Sequence, residues 1–284
     1  MWPEQYQQGW TKSIIFHSEG SHSIFITFFI TLFSRLYFSI GTVGFLVSFR
    51  YEELRFHRRC ENVVPDMKLT WLGHSCVRLS GTKNVIVDPF IGDGKEITAD
   101  CDIIAVTHGH ADHLGDTVMM KKKTVAINEI AKYLANHDIP VEGMNIGGTI
   151  NVDGVRFTMT PAVHSSWLEE GGIGCNGGAA AGYVITMDGK KVYHAGDTAL
   201  FSDMKLIGDL YRPDVALLPI GGRFTMGPDE AMMAAQYIGA PLVIPIHYNT
   251  WPKIYQDPAM FKFAIERTTD MKVAILSPGE TIEV

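Results

Sequence analysis

Four side chains that can bind metal ions lie within six consecutive residues, at positions 108 to 113. They are His108, His110, Asp112 and His113, and they follow an apolar run of strand length, Ile103 to Val106. Alternate residues of an extended chain point to the same side, so His108 and His110 can bind one ion. The adjacent Asp112 and His113 direct two more side chains toward a second position. A solvated polar loop does not need this combination, and the cluster therefore predicts a metal centre.

Three further residues can complete such a centre, because each follows a short apolar run at the end of a predicted strand. They are His164, Asp197 and His247. Each of them alone is more typical of a hydrogen-bonded loop residue than of a metal ligand. Together with the cluster at 108 to 113, they predict a site that is assembled from several strand ends.

The elements that must position these residues are mostly short strands. Apolar runs predict strands at 68–71, 76–79, 85–87, 103–107, 155–160, 182–187, 191–194, 215–219, 242–246 and 273–276. Helical patterns are fewer and cover 114–122, 128–136, 203–211, 228–238 and 258–268. Because helices fall between groups of strands, the sequence predicts an α/β protein with two sheets and helices on their outer faces.

The order of these motifs resembles that of the metallo-β-lactamase superfamily. The pattern His-x-His-x-Asp-His, a single His, Gly-Asp-Thr and a final His carries the resemblance over Met67 to Val284. Further segments resemble a compact branch of metal-dependent hydrolases that is similar to the L-ascorbate-6-phosphate lactonases. These segments are Trp71–Cys76, Val87–Pro89, Gly143–Gly148 and Gly221–Gly227. The resemblance implies an αββα four-layer sandwich with the metal site at one end of the sheets.

The resemblance also implies how the site binds two divalent ions. His108, His110 and His164 would bind one ion, whereas Asp112, His113 and His247 would bind the other, with Asp197 as the bridge. Zinc is the default, and Mn²⁺ or Fe²⁺ also suits imidazole and carboxylate ligands. A hydroxide held by both ions would attack a small ester, lactone or phosphoester. Asp112 and His110 are the candidate catalytic residues, because Asp112 could orient the hydroxide and a histidine at position 110 favours hydrolysis over redox chemistry.

Other residues could support the ligands or contact the substrate. Asp88 is a candidate to fix an imidazole tautomer, with an Asp-Pro turn as the alternative. His74 could reach the metals or the substrate, or it could be a hydrogen-bonded loop histidine. Arg223 and Thr225 lie on a glycine-rich turn, where an arginine could bind a phosphate or carboxylate. The glycine-rich segment 165–178 is a candidate flexible lid, with an ordinary surface loop as the alternative.

Residues 1–66 have a different composition from the rest of the chain. They contain no alanine, whereas residues 67–284 contain 20, and they hold nine of the 15 phenylalanines. Within them, residues 23–49 carry one charge, Arg35, and are long enough as a helix to span a bilayer. The alternatives are a membrane anchor that leaves residues 67–284 in the cytoplasm, a spurious or disordered extension with Met67 as the true start, and a cleaved signal.

Charge and cysteine content narrow the function further. The net charge of −7 argues against a nucleic-acid partner and so against a nuclease or phosphodiesterase of the same fold, which is the enzymatic alternative. The four cysteines form no Cys-x-x-Cys pair, which fits a reducing, cytoplasmic compartment.

We expect a small-molecule substrate as the partner. A membrane would be a partner only if 23–49 is an anchor, and the sequence leaves open whether the protein is a homo-oligomer. A membrane-tethered protein with a structural metal site is the non-enzymatic alternative.

Overall fold

The computed structural model describes four strands between residues 12 and 47, and beyond them residues 66–92, 97 and 100–284. The chain divides into two compact units, Met1–Asn62 and Val63–Val284. In the first unit, β1 (Lys12–Phe16) pairs with β2 (Ile24–Phe28), and β3 (Leu36–Ile40) pairs with β4 (Val43–Val47).

The strands β2, β3 and β4 lie within the apolar segment 23–49, and the rest of that segment, like Cys60, is outside the described residues. Among the helices that the structure describes, none combines the length and the hydropathy needed to cross a bilayer. The membrane anchor and the start at Met67 remain predictions.

The second unit contains the remaining strands and all of the described helices. Its strands are β5 (Lys68–Gly73), β6 (Cys76–Ser80), β7 (Asn84–Val87), β8 (Ile103–Ala105), β9 (Lys123–Ile127), β10 (Val141–Met144), β11 (Thr149–Val152), β12 (Val155–Pro161), β13 (Trp167–Glu170), β14 (Ile173–Asn176), β15 (Ala181–Met187), β16 (Lys190–His194), β17 (Val215–Pro219), β18 (Leu242–Ile246), β19 (Lys272–Val273) and β20 (Thr281–Glu283). The helices are α1 (Ala111–Leu114), α2 (Thr117–Met120), α3 (Asn128–Ala135), α4 (Met204–Tyr211), α5 (Pro228–Ile238) and α6 (Pro258–Thr268), with a 3-10 turn at Pro252–Ile254.

These strands form two seven-stranded sheets, in the orders β10-β9-β8-β7-β6-β5-β20 and β11-β12-β15-β16-β17-β18-β19. Helix α3 packs on β9 and β10 of the first sheet, whereas α5 and α6 pack on β17 and β19 of the second. The apolar core includes β8 and β17, in which every residue is buried. The predicted αββα sandwich is thus confirmed.

Hydrogen bonds tie the two sheets together at one edge. The Ala181 amide at the start of β15 donates to the carbonyl of Thr107, just after β8, over 3.1 Å. The ring of His194, at the end of β16, donates from Nε2 to the carbonyl of Ser75 over 2.9 Å. The Nδ1 atom of the same ring accepts from the Gly196 amide over 3.1 Å. Both ring nitrogens of His194 are therefore hydrogen-bonded, and its ring joins the two sheets.

The predicted helix 114–122 is wrong, because two one-turn helices, α1 and α2, occupy this stretch. Gly115 separates them with φ +45°, and a Cβ atom there would overlap the carbonyl of Pro89. This close approach is a tertiary contact that a local pattern does not show. In the second unit, the strands that the sequence pattern missed are β9, β10, β11, β13, β14 and β20.

The tie between the sheets predicts a cost for Gly196→Ala. Gly196 has φ +63°, and a Cβ atom would lie 2.5 Å from the Ala181 carbonyl and 3.0 Å from Thr107 Cβ. The matched control is Gly189→Ala, since Gly189 has φ +80° with nothing within 4 Å of the added atom. We expect the control to lower the free energy of unfolding by about 1 to 2 kcal/mol, and Gly196→Ala to lower it by clearly more, as measured by urea unfolding. Equal losses would contradict the close packing at Gly196.

Candidate metal centre

The polar side chains meet because strands of both sheets end at the same edge. In the first sheet β7 and β8 are parallel, and Asp88 and His108 follow their carboxyl ends. In the second sheet β16 and β18 both run parallel to β17, and they lead to Asp197 and His247. Strand β12 is antiparallel to β15, as β16 is, so His164 reaches the same edge.

Three groups of donor atoms at this edge have the spacing of metal ligands, with all atoms of a group within 4.8 Å of one another. The groups are His74, Asp112, His113 and His247; His108, His110 and His164; and His108, His113 and Asp197. All seven side chains that the sequence suggested as ligands belong to these groups, and His74 joins them.

Asp197 contacts histidines of both proposed ligand sets. Its Oδ1 atom lies 3.3 Å from His113 Nε2, and its Oδ2 atom lies 3.0 Å from His247 Nε2. The same Oδ2 atom is 3.6 Å from His164 Nε2. In the first of these sets, His108 Nε2 is 2.9 Å from His110 Nδ1. The carboxylate therefore lies where the two sets meet.

The donor atoms fit a bound cation. Two donors about 2.1 Å from one tetrahedral ion are about 3.4 Å apart, close to the separations at Asp197. Despite these short separations, several buried atoms at the centre have no hydrogen-bond partner among the described residues, including His113 Nε2, Asp197 Oδ1 and both ring nitrogens of His247. Buried polar atoms that point at one another without hydrogen-bond geometry are expected where an ion belongs, because leaving them unpaired is costly.

Asp88 fixes the orientation of two of these histidines. Its Oδ2 atom accepts from His113 Nδ1 over 2.7 Å and from the hydroxyl of Thr107 over 2.7 Å. Since the Thr107 hydroxyl donates to Asp88, its oxygen can accept from His108 Nδ1, 3.0 Å away. Both imidazoles then carry their proton on Nδ1, so that Nε2 of each is free to bind a metal ion. The supporting role suggested for Asp88 thus has a clear geometric basis.

Without ions, histidine–carboxylate pairs dominate the electrostatics. Burial alone would lower the pKa of His113, but Asp197 and Asp88 raise it well above its usual value. Burial would also lower the pKa of His247, but Asp197 and Asp112 raise it to about 9. Burial would raise the pKa of Asp112, but the neighbouring imidazoles of His247 and His74 hold it well below its usual range. Ion binding would replace the protons on His113 and His247, because only a neutral imidazole is a ligand.

Three residues at this edge of the sheets have a strained backbone conformation. His74, Asp88 and His247 have φ values of +51°, +48° and +54°, in the left-handed region that side chains disfavour. Such residues cost about 1 to 3 kcal/mol each and tend to cluster at functional sites. The fold maintains them at the point where the two sheets meet.

The segment suggested as a flexible lid folds as a hairpin, β13–β14, whose base packs against the centre. Leu168 is buried, and a Cβ atom on Gly109 would lie 3.1 Å from its side chain. The Ser166 hydroxyl accepts from the Gly109 amide over 3.0 Å. The hairpin is thus anchored to the loop that carries His108 and His110.

The suggested substrate residues lie outside the donor groups of the described residues. Arg223 is exposed, with its guanidinium 5.6 Å from the ring centre of Phe224, whereas Thr225 is buried. Their loop nevertheless touches the centre, because a Cβ atom on Gly221 would lie 3.1 Å from His247 Nδ1.

The role of Asp88 can be tested with Asp88→Asn, which replaces one acceptor oxygen by an amide group that would face other donors. We expect metal affinity to fall by about 10- to 100-fold, as measured by competition with a chromophoric chelator. Asp188→Asn is the matched control, because Asp188 has φ +51° and also accepts from a threonine amide and hydroxyl, those of Thr82, at the protein surface. Unchanged affinity in Asp88→Asn would contradict the assigned tautomers.

Comparison with known proteins places the chain among metal-dependent hydrolases, in agreement with the cluster of metal-binding side chains. The family model described as "Beta-lactamase superfamily domain" matches residues 83–248. A UPF0173 metal-dependent hydrolase of Methanoculleus marisnigri is 67% identical over 218 residues, which are 77% of this chain and 97% of the relative. Its counterpart in Methanoregula boonei is 62% identical over 219 residues, or 77% and 98% of the two chains.

Among solved structures, the metallo hydrolase Igni18 from Ignicoccus hospitalis is 38% identical to this chain with a TM-score of 0.70. The similarity covers 76% of this chain and 97% of Igni18. The relatives indicate the same family as the two-sheet fold and the edge lined by histidines and carboxylates. The chain belongs to the metallo-β-lactamase superfamily, within the UPF0173 metal-dependent hydrolases.

Proposed function

We propose that the protein uses two divalent metal ions to hydrolyse a small ester, lactone or phosphoester. The observation that carries this proposal is the position of Asp197, whose two oxygens lie 3.0 to 3.6 Å from His113, His164 and His247. One ion would be bound by His108, His110 and His164, and the other by Asp112, His113 and His247, with Asp197 shared. Zinc is the default, and Mn²⁺ or Fe²⁺ also suits these donors.

When bound, the ions would acidify a water molecule and stabilise negative charge on the substrate oxygen. The chain supplies the positions of the reacting groups. Asp112 is the candidate to hold the proton of the attacking water, since its carboxylate is a quarter exposed while most of its neighbours are buried. His110 and His164 are also partly exposed, which leaves substrate access to this side of the centre.

The reaction needs no nucleophilic cysteine, and the two buried cysteines, Cys76 and Cys101, are poorly suited to that role. Burial raises the pKa of Cys76 well above its usual value, and it raises that of Cys101 to about 11. Thiols of this kind stay protonated at neutral pH and are weak nucleophiles. This supports water as the nucleophile.

Two alternatives have less support. A nuclease would have to bind a polyanion against a net charge of −7. A purely structural metal site is usually closed to solvent, whereas the side chain of Asp112 is 25% exposed. Arg223, on the loop that contacts His247, is the candidate to bind an anionic group of a small substrate.

Metal reconstitution tests the proposal directly. Protein freed of metal with a chelator and reloaded with zinc should bind about two ions per chain and hydrolyse at least one member of a panel of lactones, carboxylic esters and phosphodiesters. Asp112→Asn and His110→Ala should each lower kcat by at least about 100-fold while the fold remains intact by circular dichroism. His137→Ala and Asp153→Asn serve as controls, because these residues form surface ion pairs with Glu170 and Lys123.

Two outcomes of this experiment would contradict the proposed function. Fewer than one ion per chain together with no turnover on any substrate would contradict a metal-dependent hydrolase. Full activity in Asp112→Asn or His110→Ala would show that the assigned residues are wrong.

A further inference from the structure

A chain of two hydrogen bonds leads from the loop after β18 to the carboxylate of Asp112. The hydroxyl of Thr250 lies 2.8 Å from His74 Nδ1, and His74 Nε2 lies 3.2 Å from Asp112 Oδ2. We propose that Thr250 and His74 are positioning residues that hold Asp112 in its working orientation, and that His74 is not a metal ligand. This inference rests on the proposed function, because it assigns Asp112 its orientation in that reaction.

The direction of the two bonds follows from the donors that each group carries. An ionised carboxylate can only accept, so the contact with Asp112 places the His74 proton on Nε2. The unprotonated Nδ1 is then an acceptor, and the Thr250 hydroxyl must donate to it. A proton on Nε2 also prevents that atom from binding an ion, which distinguishes His74 from the histidines that Asp88 and Thr107 orient.

Packing holds the His74 ring in this position. The side chain is fully buried, and its ring centre lies 4.2 Å from that of His247 and 4.7 Å from that of Trp251. The His74 carbonyl accepts from the His247 amide over 2.9 Å and from the Trp71 indole over 3.0 Å. The ring therefore cannot turn without breaking contacts on both sides.

Packing also positions Thr250, which is partly exposed. A Cβ atom on Gly92 would overlap the methyl group of Thr250, so this glycine leaves the space that the threonine fills. Thr250 also lines a cavity of about 500 Å³ together with Trp71, Tyr248 and Leu276. The contact of its methyl group beside Gly92 thus directs the hydroxyl toward His74.

The Asp112 carboxylate depends on this donor. Its Oδ2 atom is 3.2 Å from His74 Nε2, but 3.8 Å from His247 Nε2 and 3.9 Å from His113 Nε2. His74 is therefore the histidine in closest contact with this oxygen. Losing the tautomer of His74 would replace a donor by a lone pair that repels the carboxylate.

Thr250→Val tests the proposal, since valine keeps the shape of the side chain and removes the hydroxyl. In the zinc-loaded full chain we expect the same number of bound ions as in the wild type, a kcat about 10- to 100-fold lower, and a KM within about twofold, because no ligand or substrate contact is lost. Thr250→Ser should restore most of the activity. Thr158→Val is the control, because Thr158 is buried and shares a side-chain hydrogen bond with Thr149 at 2.9 Å.

A second readout does not depend on turnover. Nitrogen-15 NMR of histidine-labelled, zinc-loaded protein should show His74 neutral and protonated on Nε2, and Thr250→Val should shift its Nδ1 signal. A His74 Nε2 atom without a proton, or a loss of bound ions in Thr250→Val, would overturn the proposal, as would a kcat equal to that of Thr158→Val. If the wild type hydrolyses nothing, the proposed function fails, and the NMR result still decides the role of His74.

Discussion

One buried carboxylate, Asp88, determines how the metal centre is arranged. It accepts hydrogen bonds from His113 and from both the amide and the hydroxyl of Thr107, and through Thr107 it also orients His108. Taking a carboxylate out of water costs several kcal/mol, and hydrogen bonds of this kind offset that cost. Because a single group fixes two tautomers, the Nε2 atoms of both histidines point toward the same region. The remaining ligands only need to reach that region from the second sheet.

The sandwich satisfies this requirement by bringing strand ends of both sheets to one edge. His194 and Gly196 tie the end of β16 to the first sheet, and Asp197 follows directly. Hydrogen bonds hold the strained backbone at this edge: the His247 amide donates to the His74 carbonyl between the sheets, and Asp88 binds His113 within the first sheet. The stability of the fold and the geometry of the metal centre are thus linked, since the hydrogen bonds that join the sheets also position the metal-binding atoms.

The sequence allowed much of this to be predicted, and the failures have physical causes. The cluster at 108–113 could be identified because its spacing alone brings the donors together, and the αββα fold followed from the order of the elements and the family resemblance. The helix 114–122 was wrong because Gly115 meets the carbonyl of Pro89, a contact between distant residues. Thr250 could not be identified, since its partner His74 is 176 residues away and an isolated threonine carries no pattern. The hairpin at 165–178 was missed because its packing on Gly109 is a contact that its glycine-rich composition does not show.

The central claim is that both sheets together build a centre for two ions with Asp197 between them. Anomalous diffraction at the zinc edge, from crystals of the zinc-loaded protein, tests it most directly. The account predicts two anomalous peaks, one enclosed by His108, His110 and His164 and one by Asp112, His113 and His247, with the Asp197 carboxylate contacting both and His74 contacting neither. A single peak, or peaks away from these side chains, would contradict it.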